Sequence, residues 1–106
     1  MFAVIYRFEV KENCDQKFIH AWSEMTKLIY KYEGSLGSRL HHQEKNIYIA
    51  YAQWPNREKW ETFGNKLPLI AKTHSLNMRD ACIQSETIYK LEMLEDYLAQ
   101  DTNSLI

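Results

Sequence analysis

Aromatic and apolar side chains recur along the chain beside a few histidines and arginines, and together they could form a pocket for a small molecule. An imidazole titrates near neutral pH, so a histidine in such a pocket can act as a general base or a hydrogen-bond donor. The polar candidates are Arg7, Arg39, His41, His42 and His74, and the wall candidates are Tyr6, Phe8, Trp22, Tyr51, Trp54, Phe63 and Met78. We take His74, Arg39 and Tyr6 as catalytic candidates, and Trp22, Tyr51, Trp54, Phe63 and Met78 as substrate-binding candidates.

The same residues also have a plain structural interpretation. Aromatic residues at strand and helix periods belong to a core more often than to a substrate pocket. His41 and His42 are neighbours in a predicted strand, so they point to opposite faces and cannot both enter one pocket. The sequence contains no phosphate-binding glycine loop and no serine or cysteine nucleophile elbow. Cys14 and Cys82 are expected to be reduced thiols, and no metal site is predicted.

Composition indicates an ordinary small globular protein. The chain has 106 residues, 45% of them hydrophobic and 25% charged, with a formal net charge of -1. This length fits one domain, and the scattered basic residues do not favour a nucleic-acid partner. The apolar run at the N-terminus is too short for a signal peptide or a membrane span, so we expect a cytoplasmic protein with no membrane partner.

The first half of the chain predicts a strand, a helix and a hairpin. Residues 1–10 alternate apolar side chains with others, as a strand does. Asn13 is a predicted helix cap, with Gln16 as its capping-box partner, and Gly34 is the predicted C-terminal glycine of an amphipathic helix.

The hairpin predicted next is the most informative part of the sequence. Residues 36–43 alternate with period two, and residues 46–54 are apolar or aromatic at nearly every position, as expected of a central strand covered on both faces. Pro55 cannot donate to a ladder, so that strand should stop at Trp54 and a helix should begin near Asn56.

The remaining elements are a broken helix, a strand and a tail. Gly64 and Pro68 interrupt the helical pattern, which resumes over residues 69–80. Residues 83–94 predict a last strand, and residues 95–106 a tail that could form a short helix at its start. Strand alternation puts one set of side chains of this strand on one face, namely Ser85, Thr87, Tyr89, Leu91 and Met93.

This element order predicts an α+β fold of the ferredoxin-like, split β-α-β type. Such a fold has a four-stranded antiparallel sheet with both helical regions on one face. Tyr48, Tyr51, Trp54 and the apolar residues of the first strand supply more apolar surface than one layer of helices can bury. We therefore expect a homodimer that covers the other face of the sheet.

Residues 1–94 resemble the antibiotic biosynthesis monooxygenase (ABM) domain family. The resemblance rests on the first strand, on residues 33–37 (EGSLG) entering the second strand, on the aromatic third strand, and on the junction of residues 54–60 (WPNREKW). It implies a dimeric α+β barrel in which two ferredoxin-like subunits pack sheet to sheet. The domain would span residues 1–94, with residues 95–106 as a C-terminal tail.

The heme-degrading branch of that family provides a residue-by-residue comparison. Its members use an asparagine on the first strand, a tryptophan in the second helical region and a histidine that ligates iron. In this sequence His74 falls at the ligand position, whereas Phe63 and Tyr6 occupy the other two. Heme binding is therefore an alternative, and the principal expectation is that no cofactor is used.

The cofactor-independent branch implies an oxygenase. Such an enzyme deprotonates an electron-rich phenol or quinol so that the carbanion can pass an electron to oxygen, which requires an apolar pocket, a base and a donor for the developing oxyanion. We expect a monooxygenase acting on a small aromatic or quinol-type substrate. A heme-binding or heme-degrading protein and a non-catalytic dimeric small-molecule-binding module remain alternatives, so enzymatic activity is left open at this point.

Overall fold

The computed structural model describes residues 1–98. The elements follow the predicted order: β1 (Phe2–Val10), α1 (Asp15–Glu33), β2 (Gly37–Glu44), β3 (Ile47–Trp54), α2 (Arg57–Glu61), α3 (Ile70–Ala81) and β4 (Cys82–Glu92). The predicted ferredoxin-like α+β architecture is confirmed, including the break of the second helical region into α2 and α3. No helix within the described residues is long and apolar enough to cross a membrane.

The four strands form one antiparallel sheet in the order β2-β3-β1-β4. β1 and β3 are the interior strands, and their register places Phe2 opposite Trp54 and Tyr6 opposite Ala50. Directly opposed residues share a face of the sheet. The residues at even positions of β1 and β3 therefore lie on the face that the helices cover.

This helix-facing stripe forms the core. Phe2, Val4, Phe8 and Val10 of β1 are buried, as are Tyr48, Ala50, Ala52 and Trp54 of β3. From α1, Phe18 is fully buried, and its ring centroid lies 5.0 Å from that of Phe8 and 5.3 Å from that of Tyr48. Full burial of one such side chain stabilises the folded state by roughly 1.5–3 kcal/mol.

The helix ends show which capping predictions were correct. Gly34 ends α1 in the left-handed region with φ 82°, as predicted. Asn56 caps α2, since its Oδ1 accepts a hydrogen bond from the Lys59 N–H at 2.9 Å. The capping prediction for Asn13 is wrong: Asn13 occupies a turn with φ 64°, and Cys14 is the N-cap residue, without a side-chain bond.

A bulge in β4 changes the predicted faces of that strand. Ile5 lies opposite Tyr89 whereas Tyr6 lies opposite Thr87, so one extra residue of β4 is accommodated between the two pairs. A bulge shifts the alternation by one position. Thr87 therefore shares the helix-facing side with Tyr6, and Tyr89 lies on the opposite face, so the prediction that they share a face is wrong.

The other face of the sheet, which we call the open face, is only partly covered. It carries Ile5, Ile49 and Tyr51, which are half-buried, and Tyr89 and Leu91, which are 58% and 45% exposed. The predicted grouping of Tyr48 and Trp54 with Tyr51 as excess apolar surface is wrong, because the first two face the helices and are buried in the core.

The start of the tail lies beside the open face. Residues 93–98 have no regular secondary structure, and several of them border a cavity there together with Ala3 and Tyr51. The short helix predicted near Tyr97 and Leu98 is therefore not seen in this part, and residues 99–106 of the predicted tail lie outside the described residues.

Tyr48 makes a polar contact at the margin of the core that should be visible in the pH dependence of stability. Its hydroxyl donates to Asp15 Oδ2 at 2.5 Å. This hydrogen bond, followed by burial and by the Asp15 charge, raises the pKa of Tyr48 from 10.0 to about 12. The folded protein therefore holds the phenolic proton at a pH where the unfolded chain releases it.

We expect the free energy of unfolding to fall as the pH rises from 10.0 through about 12, and to fall less steeply in Tyr48→Phe. The two proteins differ only in this hydroxyl group, so the difference between the two curves isolates Tyr48. Denaturant titrations of both proteins across this pH range measure the free energy of unfolding. Parallel curves would show that the Asp15 contact does not hold the proton.

Candidate active site

A cavity of about 520 Å³ lies between the helices and the helix-facing side of the sheet. Two of its wall residues on β3, Ala50 and Ala52, are small, and on the helix-facing side they lie between the much larger Tyr48 and Trp54. The lining residues are mostly apolar: Tyr6, Phe8, Trp22, Met25, Thr26, Ile29, Ser35, Ser38, Ala50, Ala52, Trp54, Phe63, Leu67, Ser75, Met78, Ser85, Glu86 and Thr87.

The structure brings together five of the eight predicted site residues. Five of them line the cavity: Tyr6 from β1, Trp22 from α1, Trp54 from β3, Phe63 from the loop that follows α2, and Met78 from α3. Their periodic spacing in the sequence was compatible with either a place in the hydrophobic core or a place in a substrate pocket. Several of them also pack against the core clusters, so the same side chains serve both purposes.

Tyr6 is the polar residue on the helix-facing side of β1, and its hydroxyl forms a hydrogen bond with Trp60. The Trp60 Nε1–H donates to the Tyr6 hydroxyl oxygen at 2.7 Å. α2 begins directly after β3, which places Trp60 against Phe2 with ring centroids 5.8 Å apart. Since the Tyr6 oxygen accepts from Trp60, its own O–H is left to donate to a ligand.

The ionisation of Tyr6 supports a donor role. Burial raises the pKa of Tyr6, and the Trp60 hydrogen bond lowers it by a smaller amount, so that the net direction is upward. The phenol is thus neutral at physiological pH. The sequence analysis included Trp60 in the junction of residues 54–60 but not among the site residues, because nothing local indicates which residue its N–H meets 54 positions away.

The loop between α2 and α3 closes one side of the cavity and is fastened by a buried carboxylate. Phe63 and Leu67 of this loop line the cavity. Glu33, 8% exposed, accepts a hydrogen bond at Oε2 from the Lys66 N–H at 2.8 Å. Hydrogen bonds to a charged acceptor are stronger than neutral ones, so this contact positions the loop. The sequence analysis included Glu33 in the segment of residues 33–37 but not among the site residues, because nothing in that segment indicates its contact with Lys66.

Arg39 and Tyr51 do not belong to this cavity. They lie opposite each other in the β2–β3 pair and border a separate cavity of about 200 Å³, together with Gln53. The Gln53 Nε2 donates to the Tyr51 hydroxyl at 3.1 Å. Both residues are at odd positions of their strands, on the open face, so the prediction that they share a pocket with Tyr6 is wrong.

The histidines also lie away from the cavity wall. His74 is half-buried on α3, with its ring 6.3 Å from that of His20, while the neighbouring Ser75 lines the cavity. His42 lies on the helix-facing side, 4.9 Å from the Tyr48 ring, and its Nε2 bonds to the Lys45 carbonyl oxygen at 2.7 Å. As predicted, His41 is on the other face, opposite Ile49.

These positions bear on heme and metal binding. The histidine that the family resemblance assigns to iron does not line the cavity, so the residues present do not fit a heme ligated there by His74. Within residues 1–98, no group of three or more His, Cys, Asp or Glu side chains is arranged to hold a metal ion.

The fold and the cavity define an α+β protein of the ferredoxin-like type with a mostly apolar cavity between helices and sheet. The family model described as antibiotic biosynthesis monooxygenase matches residues 1–68. The chain belongs to the antibiotic biosynthesis monooxygenase family.

Solved structures agree with this assignment at the level of the fold. SnoaB, a cofactor-independent oxygenase from Streptomyces nogalater, is similar with a TM-score of 0.73 and 14% identity, covering 91% of this chain and 95% of that one. Rv0793 from Mycobacterium tuberculosis has a TM-score of 0.71 and 11% identity, covering 92% and 98%. A conserved protein of unknown function from Bacteroides thetaiotaomicron has a TM-score of 0.70 and 16% identity, covering 87% and 96%. No curated protein matches the chain significantly.

The Tyr6–Trp60 contact can be tested by titration. We expect Trp60→Phe to raise the pKa of Tyr6 further, because it removes the donor that stabilises the phenolate. The pKa is measured by NMR with tyrosine labelled at Cζ, the Tyr6 signal being assigned from its absence in Tyr6→Phe. The matched control is Trp22→Phe, which makes the same change in the cavity wall and should leave the pKa of Tyr6 near its original value. A lower pKa in Trp60→Phe would contradict the contact.

Proposed function

We propose that the protein is a monooxygenase that acts without a bound cofactor on a small aromatic or quinol-type substrate. The observation that carries the proposal is the neutral Tyr6 phenol, held by Trp60, in the wall of an otherwise apolar cavity. Family membership and the fold shared with SnoaB support it.

The cavity suits a substrate of this class. Its volume of about 520 Å³ lies within the usual range for small-molecule sites, roughly 300–1,000 Å³. The walls offer aromatic side chains for stacking, from Trp22, Trp54 and Phe63. A flat ring system would lie between these groups and direct an oxygen toward the Tyr6 hydroxyl.

The reaction proceeds through the ionised substrate. Loss of a proton from an activated C–H or O–H group produces a carbanion or enolate, which passes one electron to oxygen; recombination forms a carbon–oxygen bond to a peroxide. Protonation of the peroxide and loss of water leave a carbonyl, so that one oxygen atom enters the product and the other leaves as water. The Tyr6 O–H donates to the developing oxyanion, which lowers the barrier to the first step.

The wall restricts which substrates can react. Among its described residues, the ionisable side chains are Tyr6 and Glu86, and Glu86 lies opposite Arg7 in the register, with its carboxylate 3.7 Å from the guanidinium. Neither is placed to act as a strong base in the cavity. We therefore infer that the substrate is acidic in its own right, as phenols and enolisable polycyclic ketones are, and that its proton passes to water.

We also propose that the protein is a homodimer and that the open face is the interface. Tyr51, Tyr89 and Leu91 leave apolar surface on that face, and a contiguous surface of this kind is rare on monomers. Residues 93–98 border the same face, so the described start of the tail, residues 95–98, would contribute to the interface.

Oxygen uptake with a panel of anthrones and quinols tests the activity. We expect Tyr6→Phe to lower kcat/KM on the order of a hundredfold, as loss of one oxyanion donor does. The control is Tyr30→Phe, the same change on an exposed helix position, which should leave kcat/KM unchanged. No uptake above the spontaneous rate with any substrate would favour the non-catalytic binding module.

Sedimentation tests the assembly. We expect a dimer for the original protein and a monomer for Leu91→Glu, a position on the open face opposite Ala3, because a buried unpaired charge at the interface opposes association. Tyr30→Glu adds the same charge on the exposed side of α1 and should remain dimeric. A compact monomer for the original protein would contradict the proposed interface.

A further inference from the structure

Two histidines from distant parts of the sequence meet where α1 packs against α3. The Lys11 N–H donates to the Ala81 carbonyl oxygen at 2.8 Å, which places the start of α1 beside the end of α3. The second turn of α1 therefore lies near the middle of α3. His20 and His74 occupy these positions, and their ring centroids are 6.3 Å apart with an interplanar angle of 73°. Neither residue lines the cavity.

One nitrogen of His74 has no partner. Its Nδ1 is buried and makes no hydrogen bond to any of residues 1–98. Buried polar atoms are nearly always paired, so an unpaired one calls for an explanation. In a neutral imidazole one of the two nitrogens keeps a free lone pair, which can bind a metal ion. His20 is exposed, so its ring can rotate to bring a second nitrogen close with little loss of packing.

We propose that His20 and His74 bind a divalent transition-metal ion such as Zn²⁺, through His74 Nδ1 and a ring nitrogen of His20. With metal–nitrogen bonds of about 2.0–2.1 Å, two imidazoles on one ion have ring centroids roughly 5–6.5 Å apart. The observed separation of 6.3 Å lies in this range. Imidazole ligands suit zinc, copper and nickel, whereas magnesium and calcium prefer oxygen ligands. Water would complete the coordination, because within residues 1–98 no third His, Cys, Asp or Glu is arranged with this pair to hold a metal.

An ion in this site would join the two helices that cover the cavity. Trp22 of α1 lies two positions after His20, and Ser75 of α3 directly follows His74, and both line the cavity. The ion would therefore hold the helix layer together without occupying the cavity itself. It binds the paired histidines of the folded chain more tightly than the separated ones of the unfolded chain, so it raises the melting temperature. This inference does not rest on the proposed oxygenase activity.

Zinc binding by the whole chain tests the inference. After treatment with a chelator, we expect one equivalent of Zn²⁺ to bind and to raise the melting temperature, without competition from excess Mg²⁺. His20→Ala should lower the affinity at least about tenfold, because loss of a group that only supports a metal ligand already has an effect of that size. It should also abolish the rise in melting temperature. His41→Ala, the same change at an exposed histidine on the open face, should alter neither result.

The imidazole resonances of the original protein give a second measurement, which does not depend on a variant. With ¹⁵N-labelled histidine, zinc should shift the signals of His20 and His74 together and leave the other two histidines unchanged. It should also fix His74 in the tautomer that carries its proton on Nε2. No zinc binding, binding that survives in His20→Ala, a shift confined to one of the two histidines, or a His74 proton on Nδ1 in the zinc-bound protein would each overturn the inference.

Discussion

The structure depends on the strict alternation of β1 at the centre of its sheet. Its even-numbered side chains pack under the helices and enter both core clusters, and four of the five are buried apolar residues. The fifth is Tyr6, whose hydroxyl is the one polar group in this stripe. Because the flanking residues hold the strand in place from both ends, the phenol has little freedom to move, and a hydrogen bond from Trp60 is enough to orient it.

Local sequence patterns were sufficient to predict the fold. The membership of the candidate site could not be predicted in full, because it depends on long-range contacts. The period of two in β1 and β3, the glycine after α1 and the proline before α2 each act within a few residues, so the element order could be predicted. The placement of Arg39 and Tyr51 could not, because it required the face of each strand relative to the helices. The faces of β4 were predicted incorrectly past Thr87, since a bulge leaves no clear mark in a strand sequence. Glu33 and Trp60 act across 33 and 54 positions, and no motif reveals such partners.

The cavity shares its walls with the core, which links stability to binding. Trp54 packs against Phe63 and also closes one core cluster, and Phe8 and Met78 line the cavity from the other. Substitutions that enlarge the cavity therefore remove core contacts and lower stability. Substitutions that fill it would improve packing but leave less space for the ligand. The buried carboxylate of Glu33 eases this conflict, because it fixes the loop through a backbone N–H and leaves the loop side chains free to meet the ligand.

Because of the bulge in β4, alternate residues before and after it lie on different faces of the sheet. Without the bulge, the same residues would all lie on one face. Before the extra residue, Ser85 and Thr87 line the cavity; after it, Tyr89 and Leu91 lie on the open face. Loss of a single residue at this point would invert the second half of the edge strand and exchange the side chains on its two faces. Among relatives, a one-residue insertion or deletion here would thus alter this outer sheet surface while every residue of β1 and β3 stayed the same, and an alignment that ignored it would pair residues that face opposite sides.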